Sequence, residues 1–369
     1  TLVGLGLTGA IPSSVFTLPR LTHLDVSGNA LSGSIPPEVE LSPNLRYLSL
    51  AHNKVEGVVP AGLLTSKNMD TLLLQGNLLT GVASLLAPVV SDGNETDAAS
   101  SENEEETSVS FVTTLDVLDL SDNVFTAFPH ELEVVGGLSV LYLHGNSMTS
   151  VIPPWLGQRD TLKHLRLDGN SLTGSLAIWL SDTHRLLDLQ KLRLDGNAGV
   201  TGPLTAGAVR TLAKLTTLNV SDVQKFGAFP SSLGQKGASL TSLTSLSMRN
   251  SGLSGTLPPD LFEALPLLQT LDLRDNLLTG LVPANEVIPA VLDAGDGAAN
   301  APSRLRIAHQ NLQQLLLANN SFGGVLPHLP AHLVTIASGR HDAFGVESAR
   351  AAVDLRDASD ETRGFFTCP

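Results

Sequence analysis

Leu21-Thr22-His23-Leu24-Asp25-Val26-Ser27-Gly28-Asn29-Ala30-Leu31-Ser32-Gly33-Ser34-Ile35-Pro36 is the clearest copy of a pattern that returns along the chain. Equivalent stretches begin at Leu45 and Met69, each 24 residues further on. The shared template is L-x-x-L-x-L-x-x-N-x-L-x-G-x-I-P. A fixed period of this size means a coil of stacked repeats. Within one copy, Leu24 and Val26 point one way and Asp25 and Ser27 the other, because side chains on a strand alternate faces. No single copy can bury its own apolar side, whereas parallel stacking of copies buries it continuously. Asn29 ends the strand with an amide that both donates and accepts, so Asn29, Asn53 and Asn77 are expected to form a ladder. Gly33 permits a turn with positive φ, and Pro36 fixes φ and closes the run.

With its G-x-I-P ending, this template resembles the plant-type leucine-rich repeat. Leu2-Val3-Gly4-Leu5-Gly6-Leu7-Thr8-Gly9-Ala10-Ile11-Pro12 looks like the tail of a first repeat of that family. The resemblance covers residues 1–327. It implies an α/β-type solenoid, a right-handed superhelix of about 12 repeats with a concave parallel β-sheet. It also implies the ectodomain of a receptor-like or secreted surface protein, hence an extracellular or cell-surface location.

Repeats resume at Leu115, 46 residues after Met69, so an insert is expected over residues 83–110. It holds seven carboxylates between Ser91 and Ser110 and no basic residue, half of the net charge of −14. Such a run reads as a solvated loop. Further copies begin at Leu138, Leu162, Leu189, Leu215, Leu243 and Leu268. Val223 and Ser251 replace the ladder asparagine in the ninth and tenth, which are expected to be the weakest part of the ladder. A second insert is expected over 284–309, as an excursion from the coil. The last clear copy starts at Leu312, and residues 328–369 read as a degenerate repeat or cap, with a final strand near Leu333–Ile336 and helical character over Val346 to Asp357. The chain opens at Thr1 inside a repeat and is read as a fragment lacking its N-terminal cap; Cys368 is the single cysteine, so no internal disulfide can form.

The acidic balance disfavours nucleic acid and anionic membranes as partners. No run of eighteen apolar residues spans a membrane. No cofactor or metal motif is present, and no spacing of nucleophile, base or paired carboxylates marks an enzyme. The positions flanking the core leucines of each strand are the better place to look. Early repeats offer a mixture of Thr22, His23, Asp25, Arg46, Tyr47, Ser49 and Asp70. Repeats six to eight offer Tyr142, His144, Lys163, His164, Arg166, Lys191 and Arg193. Arg166 and Arg193 hold one strand position in adjacent repeats and are expected to be neighbours, with Lys163 and Lys191 nearby. Cations beside an aromatic ring suit a carboxylate, a sulfate or an acidic segment. Asp168 and Asp195 stand beside the arginines, and pairing with them is the competing expectation. Asn94, Asn219 and Asn319 begin N-x-S/T sequons, and a glycan on Asn219 would obstruct the sheet face.

The expected function is non-catalytic recognition of a protein or peptide partner, acidic in character, by the concave face. An architectural subunit of a larger complex, docking through its inserts, is the alternative. Inhibition of a secreted enzyme is a third reading.

Overall fold

The computed structural model describes residues 1–84, 113–180, 186–235, 240–284, 286–288, 304–307, 309–323, 335–337 and 353–354. It comprises two compact units, Thr1–Leu141 and Tyr142–Pro369. Nearly all of the acidic insert, Asn94 and Cys368 lie outside the described residues.

In unit 1 the main sheet contains the parallel strands His23–Asp25, Tyr47–Ser49, Thr71–Leu73 and Val117–Asp119. Their central leucines stand in register, Leu24 beside Leu48, Leu72 and Leu118. Leu48, Leu72 and Leu118 are fully buried, as are Leu50, Leu74 and Leu120 two residues on. Burial follows the period-two alternation of a strand: one set fills the core and the intervening set faces outward. Thr71 pairs directly with Val117, so the 46-residue separation of these copies leaves the strand register unbroken. A second parallel sheet runs through Thr8–Ala10, Ala30–Ser34, Lys54–Val59 and Leu78–Val82. Gly33, with φ of 77°, sits in this sheet in a conformation that side chains disfavour. Short helical turns follow Pro12, Pro36, Pro60 and Pro129, whose fixed φ ends the extended run.

In unit 2 the main sheet runs His164–Arg166, Lys191–Arg193, Thr217–Asn219, Ser245–Ser247, Thr270–Asp272, Gln314–Leu316 and Thr335–Ala337, all parallel. The last of these overlaps the strand expected near Leu333–Ile336 at Thr335 and Ile336. The helical expectation for Val346 to Asp357 is corrected at Val353–Asp354, which pairs antiparallel with Thr335–Ile336. The free edge of that strand offers unpaired backbone groups, and β-branched Val353 suits the extended state better than a helix. Within the second insert, Glu286–Ile288 and Arg304–Arg306 form an antiparallel ribbon.

The asparagine column holds the repeats together. Asn53 donates to the carbonyls of Val26 and Leu50 and accepts from Leu31 N–H, at 3.0–3.1 Å. Asn77 and Asn123 repeat the pattern in unit 1, and Asn170, Asn197, Asn276 and Asn320 in unit 2. Each amide thus satisfies buried backbone groups of two successive turns. Where Val223 interrupts the column, Val200 N–H turns to the carbonyl of Asn197 at 3.0 Å. Ser251 Oγ donates to the Val220 carbonyl at 2.8 Å. The ladder is broken there, yet these groups keep partners.

Candidate functional site

The outward positions of the unit 2 main sheet hold the residues singled out from sequence. Arg166 and Arg193 are register partners, as are His164 and Lys191. Residues two apart on a strand share a face, so Arg166 reaches Asp168 and Arg193 reaches Asp195. Both contacts are bidentate. Arg166 Nε and Nη2 lie 3.0 and 2.8 Å from Asp168, and Arg193 Nε and Nη2 lie 3.1 and 3.0 Å from Asp195. Arg193 Nη2 also stands 3.8 Å from Asp168. The four groups form a two-by-two grid, like charges side by side across strands and opposite charges along them. In-strand pairing offsets the repulsion that adjacent arginines would suffer alone. Its hydrogen bonds to Asp168 hold the Arg166 guanidinium above its usual range, against burial and Arg193; those to Asp195 do the same for Arg193, against burial.

Lys163 and Lys191 differ from the arginines. Both are exposed, and neither has a hydrogen bond or ion pair among the described residues. The residue two beyond Lys163 is the core residue Leu165, and two beyond Lys191 is Arg193, so neither lysine has an acid at the in-strand pairing position. His164 lies between them in the same patch. Burial, then Lys191, then Lys163 push its imidazole below the ordinary range, while a hydrogen bond with Gln190 acts the other way. Tyr142 closes the patch. Its hydroxyl is 3.4 Å from His164 Nδ1, its ring lies 5.9 Å from the Arg166 guanidinium, and it meets His144 edge-on at 5.9 Å. Tyr142, His144, His164, Arg166, Lys191 and Arg193 thus share the outward side of the strands, with Lys163 at its border in phase with core Leu165, and the arginines are occupied by internal partners.

Asn219 is half-buried on this face, and its Oδ1 accepts from Ser221 N–H at 3.1 Å. Asn319 is exposed at a strand-end turn with φ of 57°, and its Nδ2 donates to Asp275 Oδ1 at 2.6 Å. Sequence reading missed the mirrored pair further along the sheet, where Arg274 Nε and Nη2 bind Asp272 at 2.9 and 2.6 Å. The signal was present, since Asp272-x-Arg274 inverts Arg166-x-Asp168. Among the described residues no cluster of His, Cys, Asp and Glu could hold a metal ion, and no helix is long and apolar enough to cross a membrane.

The family model described as Leucine Rich Repeat matches residues 20–41, 137–158, 161–182, 242–264 and 311–333. No curated protein matches the chain. Among solved structures, a TDR receptor superposes with a TM-score of 0.71 at 25% identity, over 90% of this chain and 50% of that one. The Arabidopsis receptor kinase HAESA, in complex with the peptide hormone IDA and the co-receptor SERK1, gives 0.63 at 24% identity, over 91% and 53%. A plant ice-binding protein gives 0.50 at 25% identity, over 75% and 72%. The chain spans about half the length of these receptor structures. Repeat pattern, asparagine column and stacked parallel sheets agree with the family model: the chain is a leucine-rich repeat protein, of the type that plant receptors carry.

Proposed function

We propose that this chain is a non-catalytic recognition module of an extracellular protein, and that the unit 2 main-sheet face takes an anionic peptide or protein segment. Three features support the reading. HAESA, of the same fold, is solved with a peptide hormone. The Arg–Asp grid is neutral and rigid, so it supplies a floor rather than charge. Lys191 shares the grid's face and Lys163 borders it, beside the half-buried ring of Tyr142; neither makes an ion pair among the described residues, and Asp188, which Lys163 feels at longer range, is bound by Lys214. This last observation carries the proposal. A carboxylate or sulfate reaching the lysines gains charge-assisted hydrogen bonds, and apolar parts of the segment cover Tyr142.

The test is titration of the intact chain with a fluorescein-labelled acidic probe, Gly-Glu-Tyr-Glu-Gly, followed by polarisation. Lys163→Ala combined with Lys191→Ala should weaken binding about tenfold, as expected for two charged contacts. Arg166→Ala should weaken it less. Equal binding by the double variant and the parent would remove the lysines from the site.

A further inference from the structure

The unit 1 main sheet presents a face of opposite chemistry. In register across its strands, one outward row reads Asp25, Ser49, Leu73 and Asp119. The neighbouring row reads His23, Tyr47, Thr71 and Val117. Leu73 and Val117 are half-buried on positions where a solvated strand would carry polar residues. Tyr47 is stacked on His23 at 5.8 Å with 16° between the rings. Together they make an apolar strip on that face, within which Ser49 is itself buried.

Carboxylates wall that strip. Asp25 Oδ1 accepts from both the backbone N–H and the hydroxyl of Ser27, at 3.0 and 2.7 Å. Asp119 does the same with Ser121, at 3.0 and 2.6 Å. One oxygen of each carboxylate is thereby anchored, and Oδ2 has no partner among the described residues. Asp116 is exposed beside them, and Asp70 faces Arg46 at 3.7 Å. An acidic segment is repelled by such a face; a basic one is attracted.

Geometry defines the spacing of the ligand. Three strand steps separate Asp25 from Asp119, about 14 Å at the usual strand separation. An extended peptide covers about that distance in four residues, and residues i, i+2 and i+4 share one side. The midpoint lies between the repeats that carry Tyr47 and Leu73. We propose that the unit 1 main-sheet face docks an extended segment of pattern basic-x-apolar-x-basic, laid across the strands. Its two cations meet Asp25 and Asp119, and its apolar side chain lies against Tyr47 and Leu73.

Two labelled peptides of identical composition test this by polarisation on the intact chain: Gly-Lys-Ser-Leu-Ser-Lys-Gly, and Gly-Lys-Lys-Leu-Ser-Ser-Gly with its lysines adjacent. The spaced peptide should bind about tenfold more tightly, the scale of one well-placed charge pair together with its apolar contact. Asp25→Asn with Asp119→Asn should abolish that preference. Asparagine retains the Oδ1 that accepts from Ser27 and Ser121, so the fold is preserved, and an unchanged thermal melt checks it. Leu73→Ser should weaken the spaced peptide alone. Equal binding of the two peptides, no binding of either, or indifference to the paired Asn variant overturns the proposal. Loss of the spaced peptide's binding in Lys163→Ala/Lys191→Ala also overturns it, because those residues belong to the unit 2 site.

Discussion

Unit 1 and unit 2 share one frame, and their sheet faces differ in chemistry. At one strand position, unit 1 places Asp25, Ser49, Leu73 and Asp119. Unit 2 places Arg166, Arg193, Asn219, Ser247, Asp272 and Leu316 at the equivalent position. Beneath both rows lie buried leucines and an asparagine column with the same hydrogen bonds. Burial and backbone satisfaction dictate the frame positions, whereas the alternate positions are free to carry chemistry. The difference also separates structural charge from available charge. An arginine with an acid two residues along its strand is neutralised in place. Lys163 and Lys191, and the Oδ2 atoms of Asp25 and Asp119, lack such partners among the described residues.

The largest expected effect tests the shared frame. Asn77→Ala in unit 1 leaves the carbonyls of Leu50 and Leu74 and the N–H of Val55 without the amide. Asn197→Ala in unit 2 does the same to Leu167, Leu194 and Leu172. Each should cost about 2–3 kcal/mol in urea denaturation, the scale of buried backbone groups left unsatisfied. Val223→Asn should change stability by less than about 1 kcal/mol, because Val200 N–H already has the Asn197 carbonyl. Breaking the grid instead, with Asp168→Asn, should cost about 1 kcal/mol: Asp168 is buried, but asparagine keeps one acceptor for Arg166, which retains contact with solvent. A ladder variant as mild as Asp168→Asn would erase the distinction between frame and face.

A smaller effect sharpens the contrast through pH. Burial and the two lysines keep His164 below its ordinary range, so the ring is neutral at pH 7. An anion bound on the patch favours the protonated ring, so acidic-probe affinity should rise as pH falls below about 6.5, by a few-fold. For the free protein the sign is the reverse. The unfolded chain holds the His164 proton more tightly, so this residue's contribution to stability is full above the unfolded pKa and declines as pH falls towards the lower folded one. His164→Gln should flatten the affinity profile. A profile unchanged in that variant would detach His164 from the site.

Much of this was legible in the sequence. The period of Leu24, Leu48 and Leu72 and the column of Asn53 and Asn77 follow from what a strand must bury and a turn must satisfy. The neighbourhood of Arg166 and Arg193 followed from equal strand positions. What was not legible has physical causes. Whether Asp168 pairs with Arg166 depends on side-chain geometry that spacing leaves open. The row joining Leu73 to Asp119 is hidden because 46 residues separate the two copies, and register, not sequence distance, makes them neighbours. The strand at Val353–Asp354 depends on a free sheet edge that composition does not reveal.

Hydrogen exchange followed by mass spectrometry, with the acidic probe and the spaced basic probe added separately, tests the central claim most directly. Reciprocal protection is expected: the acidic probe slows exchange in peptides covering Tyr142–Arg193, and the basic probe in those covering His23–Asp119. Protection of one common region by both probes would contradict it, as would protection of neither face.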